Sequence, residues 1–164
     1  MTARRISSLI ALAMFTLSLT AGTASATTLP GNAGRALFGA DVACFSQPTW
    51  AGITSTCAGT RAWLIAIPNT ATGNPSTLTI RANGVSCGPG GCPIGVSYPV
   101  CKAFKVPQGG ASAVGGTAVP VDGPNKPLYT FQNNVLPTDT LHVICEFSIP
   151  QQPGSVKPLL SVSW

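Results

Sequence analysis

Charged side chains are scarce in this sequence of 164 residues. Asp, Glu, Lys and Arg make up 8% of it, against roughly a quarter in an average globular protein. The formal net charge is +5, but the basic residues are scattered along the chain. Because a nucleic-acid surface needs a cluster of cations to displace counterions, we expect no nucleic-acid partner. Solubility must depend on Ser, Thr, Asn and Gln, a surface that also suits a protein that packs against its own copies.

Side chains that commonly carry catalysis are also few. His142 is the only histidine, and a Ser-His-Asp site needs an acid and a nucleophile within hydrogen-bond reach of the ring. In a strand, Glu146 lies on the same face as His142 but roughly 13 Å away. Neither a Gly-x-Ser-x-Gly elbow nor a His-Glu-x-x-His helix occurs. We therefore expect no catalytic residues, metal or cofactor, and a hydrolase that uses His142 is only a third hypothesis.

The sequence also lacks an apolar run long enough to span a bilayer as a helix, which needs roughly 20 residues. The run from Leu9 to Leu19 follows two arginines and precedes a small-x-small sequence at 24–26, the pattern of a secretory signal peptide. We expect residues 1–26 to be that peptide and residues 27–164 to form a single domain without a transmembrane segment. The predicted location is secreted, which covers the extracellular space, the cell surface and the periplasm.

Prolines and glycines, 15 and 18 in number, leave no mature segment free for a long helix. The apolar fraction is nevertheless too high for disorder, so short strands between turns are expected. The clearest strand is 141–149, where apolar residues alternate with His142, Glu146 and Ser148 in the period of two that a half-buried strand has. Its apolar residues are Leu141, Val143, Cys145, Phe147 and Ile149.

Several other segments predict strands. Residues 61–67 are almost continuously apolar, which favours a central strand covered on both faces. Residues 77–82 alternate, with Leu78, Ile80 and Ala82 inward. The dipeptide Asn83-Gly84 that follows is a strong turn signal and would start a hairpin.

Two further segments are less distinct. Residues 41–45 predict a first strand that leads into Cys44. Residues 100–106 predict another strand whose inward face is ambiguous, because Val100, Phe104 and Val106 compete with Cys101 and Ala103. Turns recur about every 8–12 residues, which favours an all-β fold. We expect a disulfide-bonded β-sandwich of about eight short strands, immunoglobulin-like in general architecture.

Six cysteines, all within 27–164, indicate disulfides in an exported chain. The sequence alone does not fix their pairing. Loop geometry favours Cys87–Cys92 across a glycine-permitted turn, with Cys44–Cys57 and Cys101–Cys145 as the other two bonds. The main alternative pairs Cys87 with Cys101 and Cys92 with Cys145.

These features predict a secreted, non-catalytic structural or adhesive protein of the cell exterior. Its partner would be a protein or a component of the cell surface or extracellular matrix, and a sheet edge could also pair with a second copy of the chain. The alternative is a secreted binding protein or enzyme inhibitor that presents disulfide-constrained loops. The residues predicted for such loops are Pro48, Trp50, Gly88, Pro89, Gly90 and Gly91.

Overall fold

The computed structural model of the chain describes residues 27–48, 51–69, 76–90, 93–109, 112–149 and 155–164. Within these ranges there are fourteen β-strands and two short 3-10 helices. The strands of three or more residues are β1 (Thr28–Pro30), β5 (Gly59–Ile67), β6 (Ser76–Gly84), β8 (Val100–Val106), β11 (Lys126–Val135), β12 (Thr140–Ile149) and β14 (Leu159–Ser163). The two-residue strands are β2 (Arg35–Ala36), β3 (Phe45–Ser46), β4 (Thr54–Ser55), β7 (Val96–Ser97), β9 (Val114–Gly115), β10 (Val119–Pro120) and β13 (Ser155–Val156). The 3-10 helices are Gly31–Ala33 and Gly39–Cys44.

The prediction of a mostly β protein is confirmed, but the prediction of about eight strands is wrong. Seven of the fourteen described strands have only two residues. A two-residue strand is too short to show the alternation from which a strand is recognised in a sequence. The longer strands are the ones that the sequence pattern could identify.

Most of the strands belong to two sheets. The first has the order β1-β14-β6-β11, with antiparallel neighbours throughout. The second has the order β10-β8-β12-β5-β2, and β9 pairs with β8 along the same edge as β10. Strands β3 and β4 form a small antiparallel pair, and β7 and β13 form a small parallel one.

Strand β12 lies at the centre of the second sheet, between β5 and β8. Its predicted alternation is confirmed, since Leu141, Val143, Cys145 and Phe147 are buried. Full burial of a large apolar side chain contributes about 1.5–3 kcal/mol, so this face of β12 is a major source of stability. Ile149 is only partly buried and packs at the margin of the core.

Buried residues of both sheets form one hydrophobic cluster. In β6, Ile80 and Ala82 are buried and Leu78 packs against the cluster, as the alternation predicted. Phe45 connects two large side chains, with ring centroids 4.7 Å from Trp63 and 5.7 Å from Phe147.

The inward face of β8, which the sequence left ambiguous, carries Cys101, Ala103 and Lys105. Cys101 lies directly opposite Cys145 of β12, and the two cysteines are bonded. The buried Lys105 Nζ lies 3.4 Å from Asp139 Oδ2. These two contacts determine which face of β8 enters the core.

Three local predictions are wrong, the first of them at 41–45. Gly39–Cys44 is a 3-10 helix and β3 begins only at Phe45. The bond from Cys44 to Cys57 and the 3.3 Å ion pair between Asp41 and Arg61 hold this segment. The local sequence does not indicate either contact, because Cys57 and Arg61 lie more than ten residues from their partners.

The other two errors concern β5 and β6. Strand β5 is not covered on both faces, since Trp63, Ile65 and Ile67 are buried while Ala66 is exposed. Asn83-Gly84 does not form a turn but ends β6, where both residues pair with β14. The glycine is needed for close approach instead, because a Cβ on Gly84 would lie 2.4 Å from the Val121 carbonyl oxygen.

Two disulfides join described cysteines, Cys44–Cys57 and Cys101–Cys145. They are two of the pairs that loop geometry favoured, and the second excludes the main alternative. Cys87 is also disulfide-bonded, while Cys92, its predicted partner, lies outside the described residues. In the chain-entropy model, closures over 13 and 44 residues contribute about 3 and about 4 kcal/mol.

Candidate functional site

The candidate site is the side of the six-stranded sheet that faces away from the core. Directly paired residues on neighbouring strands share a face of the sheet. The register therefore places His142, Ile144 and Glu146 of β12 beside the residues of β5 and β8 that point away from the core. One row across the strands is Arg35, Leu64, Ile144 and Lys102, and the next is Ala66, His142 and Phe104. We call this surface the outer face and define it by Arg35, Leu64, Ala66, Val100, Lys102, Phe104, His142, Ile144 and Glu146.

The outer face is apolar at its centre and charged around it. Leu64, Phe104 and Ile144 are only partly buried, whereas Lys102 and Glu146 are exposed. These partly exposed aliphatic and aromatic side chains lie side by side, so the outer face has a contiguous apolar strip.

A groove of about 330 Å³ lies on the β8 side of the outer face. Its floor and walls include Val100, Phe104 and Ile144, with Lys102 and Glu146 also along it. Strand β9 can form one wall because its Gly115 approaches β8 closely. A Cβ at Gly115 would lie 2.5 Å from the Ala103 carbonyl oxygen. We call this cavity the β8 groove.

A smaller depression of about 200 Å³ lies on the β2 side of the outer face. Its lining includes Arg35, Leu64, Ala66 and His142. His142 therefore stands between the two depressions, with its ring stacked on Phe104 at a centroid distance of 5.4 Å and an angle of 28°.

His142 is the one described side chain that could transfer a proton near neutral pH. Burial lowers its pKa below the ordinary value of 6.5, because desolvation disfavours the imidazolium. Its Nδ1 is buried, and no described group forms a hydrogen bond with it. No described hydrogen bond orients the ring against a carboxylate, which is the arrangement that general-base catalysis by histidine requires. The ring instead lies against Phe104, as part of the partly exposed apolar surface of the outer face.

Ion pairs engage three of the four acids of the chain. Asp41 pairs with Arg61 at 3.3 Å, Asp139 pairs with Lys105 at 3.4 Å, and Asp122 pairs with Lys126. The hydrogen bond from Lys126 holds the pKa of Asp122 below its usual value.

The fourth acid, Glu146, lies on the outer face and forms no ion pair within the described part of the chain. The same is true of Arg35 and Lys102 on that face. The outer face thus carries charges of both signs that form no ion pair among the described residues.

The predicted partner-binding loops are only partly described. Pro48 is exposed, as are Gly88, Pro89 and Gly90, and Gly88 adopts a left-handed φ of 86° that favours glycine. Trp50 and Gly91 lie outside the described residues. No described hydrogen bond or ring contact brings Pro48 together with the 88–90 segment.

Sequence reasoning missed three exposed apolar side chains near the second 3-10 helix. Leu37, Phe38 and Val42 lie at the start of the second 3-10 helix, and Phe38 and Val42 are 61% and 64% exposed. The only local signal was a Leu-Phe pair in a segment without strand or helix periodicity. Ile94, close to the 88–90 segment, is fully exposed as well.

The described ranges contain no helix long and apolar enough to cross a membrane. They also contain no cluster of three or more His, Cys, Asp or Glu side chains that could hold a metal ion. No protein-family model matches the chain, and no curated protein shows significant similarity to it.

Proposed function

We propose that this protein is a secreted, disulfide-bonded β-sandwich with a non-catalytic structural or adhesive role at the cell exterior. In this proposal it binds its partners through the outer face of the six-stranded sheet. The observation that carries the proposal is the partly exposed apolar row of Leu64 and Ile144, with Phe104 beside it and unpaired charges around it. Because these side chains are already more than half buried, covering the rest of each would contribute about 1 kcal/mol or less.

The sandwich arrangement is supported by the shared core. Ile80 and Phe131 of one sheet belong to the same hydrophobic cluster as Val143 and Phe147 of the other. The buried Trp63 lies directly opposite the disulfide-bonded Cys145, which is similar in composition to an immunoglobulin core. The position of the disulfide differs, however. In immunoglobulin domains the disulfide joins the two sheets, whereas Cys101 and Cys145 lie on neighbouring strands of one sheet.

The proposed location is supported by the disulfides and by the N-terminal sequence. Disulfides form and persist in oxidising compartments outside the cytoplasm, and no cysteine of the described residues is free. The signal-peptide pattern of residues 1–26 points in the same direction.

A photo-crosslinking side chain at selected positions in the producing cells tests the proposal. Replacement of Ile144 places the probe at the centre of the outer face, and replacement of the exposed Gln132 of β11 places a matched probe on the other sheet. We expect adducts with an exterior component or with a second copy from position 144, and far fewer from position 132. Equal labelling at the two positions, or a protein retained in the cytoplasm with reduced cysteines, would overturn the proposal.

The alternative function, a binding protein or inhibitor of a secreted enzyme, is favoured by one specific observation. Phe38 and Val42 are exposed next to the Cys44–Cys57 bond, and a disulfide reduces the entropy that a loop loses on binding. The same experiment with the probe at Phe38 separates the two functions. Capture of a secreted enzyme from position 38, without capture from position 144, would support the alternative.

A further inference from the structure

The β8 groove contains two opposite charges that the fold does not neutralise. Lys102 lies opposite Ile144, and Glu146, two residues further along β12, lies opposite Val100. Both charged side chains are exposed and line the same groove. The cation and the anion are therefore diagonal neighbours on adjacent strands, about 7–8 Å apart, with Ile144 and Val100 on the other diagonal.

This pattern is complementary to itself. In an interface between identical subunits related by a two-fold axis, residue i of one copy meets residue j of the other, and j meets i. A face with one cation and one anion at separate points satisfies this rule when the two copies are turned by 180°. Each apolar centre then covers the other, and each charge meets its opposite.

On the basis of the proposed function, we propose that two copies of this chain associate, with the outer face of one copy packed against the outer face of the other. Lys102 of each copy would meet Glu146 of the other, and Ile144 and Val100 would be buried at the centre. The choice of a second copy rests on charge complementarity. Glu146 is the one acid outside an internal ion pair in the described residues, and Lys102 beside it is the cation that a copy would offer.

The remaining unpaired cation of the outer face is compatible with this arrangement. Arg35 belongs to β2, the edge strand of the sheet, three strands away from Lys102 of β8. At about 4.8 Å per strand, the two cations are separated by about 14 Å. Arg35 therefore lies at the rim of the interface, where its charge stays hydrated.

Charge reversal tests this dimer, because a folding defect would not be corrected when two reversed charges are combined. The mature protein is examined by analytical ultracentrifugation over a range of concentrations at low ionic strength. Lys102→Glu and Glu146→Lys each place like charges against each other, so each variant should dimerise roughly 10- to 100-fold more weakly. Both positions are exposed, so we expect neither change to alter the far-ultraviolet circular dichroism.

The variants are then combined. An equimolar mixture of Lys102→Glu and Glu146→Lys should form heterodimers, because both contacts between the two variants again join opposite charges. The double variant Lys102→Glu/Glu146→Lys should recover the homodimer. Lys157→Glu is the control for Lys102→Glu, since it makes the same change of net charge at a position outside the outer face, and it should leave dimerisation within about twofold of the parent.

A monomeric parent protein, or single reversals that dimerise as well as Lys157→Glu, would overturn the proposal. So would a mixture that fails to associate. These outcomes differ from a failure of the proposed function. A monomer whose position-144 probe still captures a different exterior component overturns only the second-copy proposal. A dimer that never leaves the cytoplasm overturns only the proposed role at the cell exterior.

Discussion

Lys105 and Asp139 form a buried ion pair that should contribute strongly to the free energy of unfolding. Their side chains are only 9% and 2% exposed, and Nζ lies 3.4 Å from Oδ2. The same carboxylate oxygen accepts the Leu136 N–H at 2.9 Å, and Asn69 Nδ2 donates to the Asp139 carbonyl oxygen at 2.8 Å. The pair therefore connects the inner face of β8 to the turn between β11 and β12.

Removing one partner of a buried ion pair leaves the other charge uncompensated, at a cost of roughly 3–5 kcal/mol. Asp139→Asn keeps an oxygen for the Leu136 N–H but takes the carboxylate from Lys105. Lys105→Met keeps most of the side-chain volume but leaves the ionised Asp139 in the core. We expect each variant to lower the free energy of unfolding by about 3 kcal/mol or more, a large part of a typical 5–15 kcal/mol.

The double variant Lys105→Met/Asp139→Asn buries no charge and keeps the hydrogen bond of the turn. It should therefore be more stable than either single variant, which is a strong departure from additivity. Urea unfolding followed by tryptophan fluorescence and linear extrapolation measures the three differences. The control is Lys126→Met, which breaks a solvent-exposed pair and should cost less than about 1 kcal/mol. Losses that add in the double variant would refute the reasoning.

Two further changes test the glycine of β6 and the histidine of the outer face. Gly84→Ala should cost about 1–3 kcal/mol, because its Cβ would lie 2.4 Å from the Val121 carbonyl oxygen. Gly39→Ala, with open space around it, should be close to neutral in the same urea unfolding experiment, and equal effects of the two changes would contradict the close approach. Burial lowers the pKa of His142, so the imidazole binds a proton more tightly in the unfolded chain than in the folded one. The free energy of unfolding should therefore fall as the pH drops below the ordinary pKa of 6.5. His142→Gln should reduce this fall, as measured by urea midpoints at about pH 7.5 and about pH 5; an unchanged pH dependence would contradict it.

The sequence predicts best the strands that have one face in the core. In β12, four apolar residues at alternate positions are all buried, and in β6 the residues predicted to face inward do so. For such strands the local pattern and the tertiary environment agree, so a period of two is sufficient to assign both the strand and its inward face.

The sequence fails where a distant residue decides the local structure. No pattern within 100–106 indicates that Lys105 faces inward, because the burial of a lysine depends on an acid 34 positions later. Asn83-Gly84 has the composition of a turn, yet Asn83 accepts the Asn125 N–H through Oδ1 at 2.7 Å. These contacts join segments whose proximity becomes known only once the sheets are assembled.

The sequence did not predict the outer face, and the reason is related. Strand β5 is apolar at consecutive positions, which favoured a strand buried on both faces, and the alternation of β8 was ambiguous. In the structure one face of each strand enters the core, while Leu64 and Phe104 remain partly exposed on the other. In a sequence, apolar residues on such a partly exposed face look the same as apolar residues of the core. The ambiguity of these strands is therefore what the proposed binding face would produce, and contact with the proposed partner would complete the burial of Leu64 and Phe104.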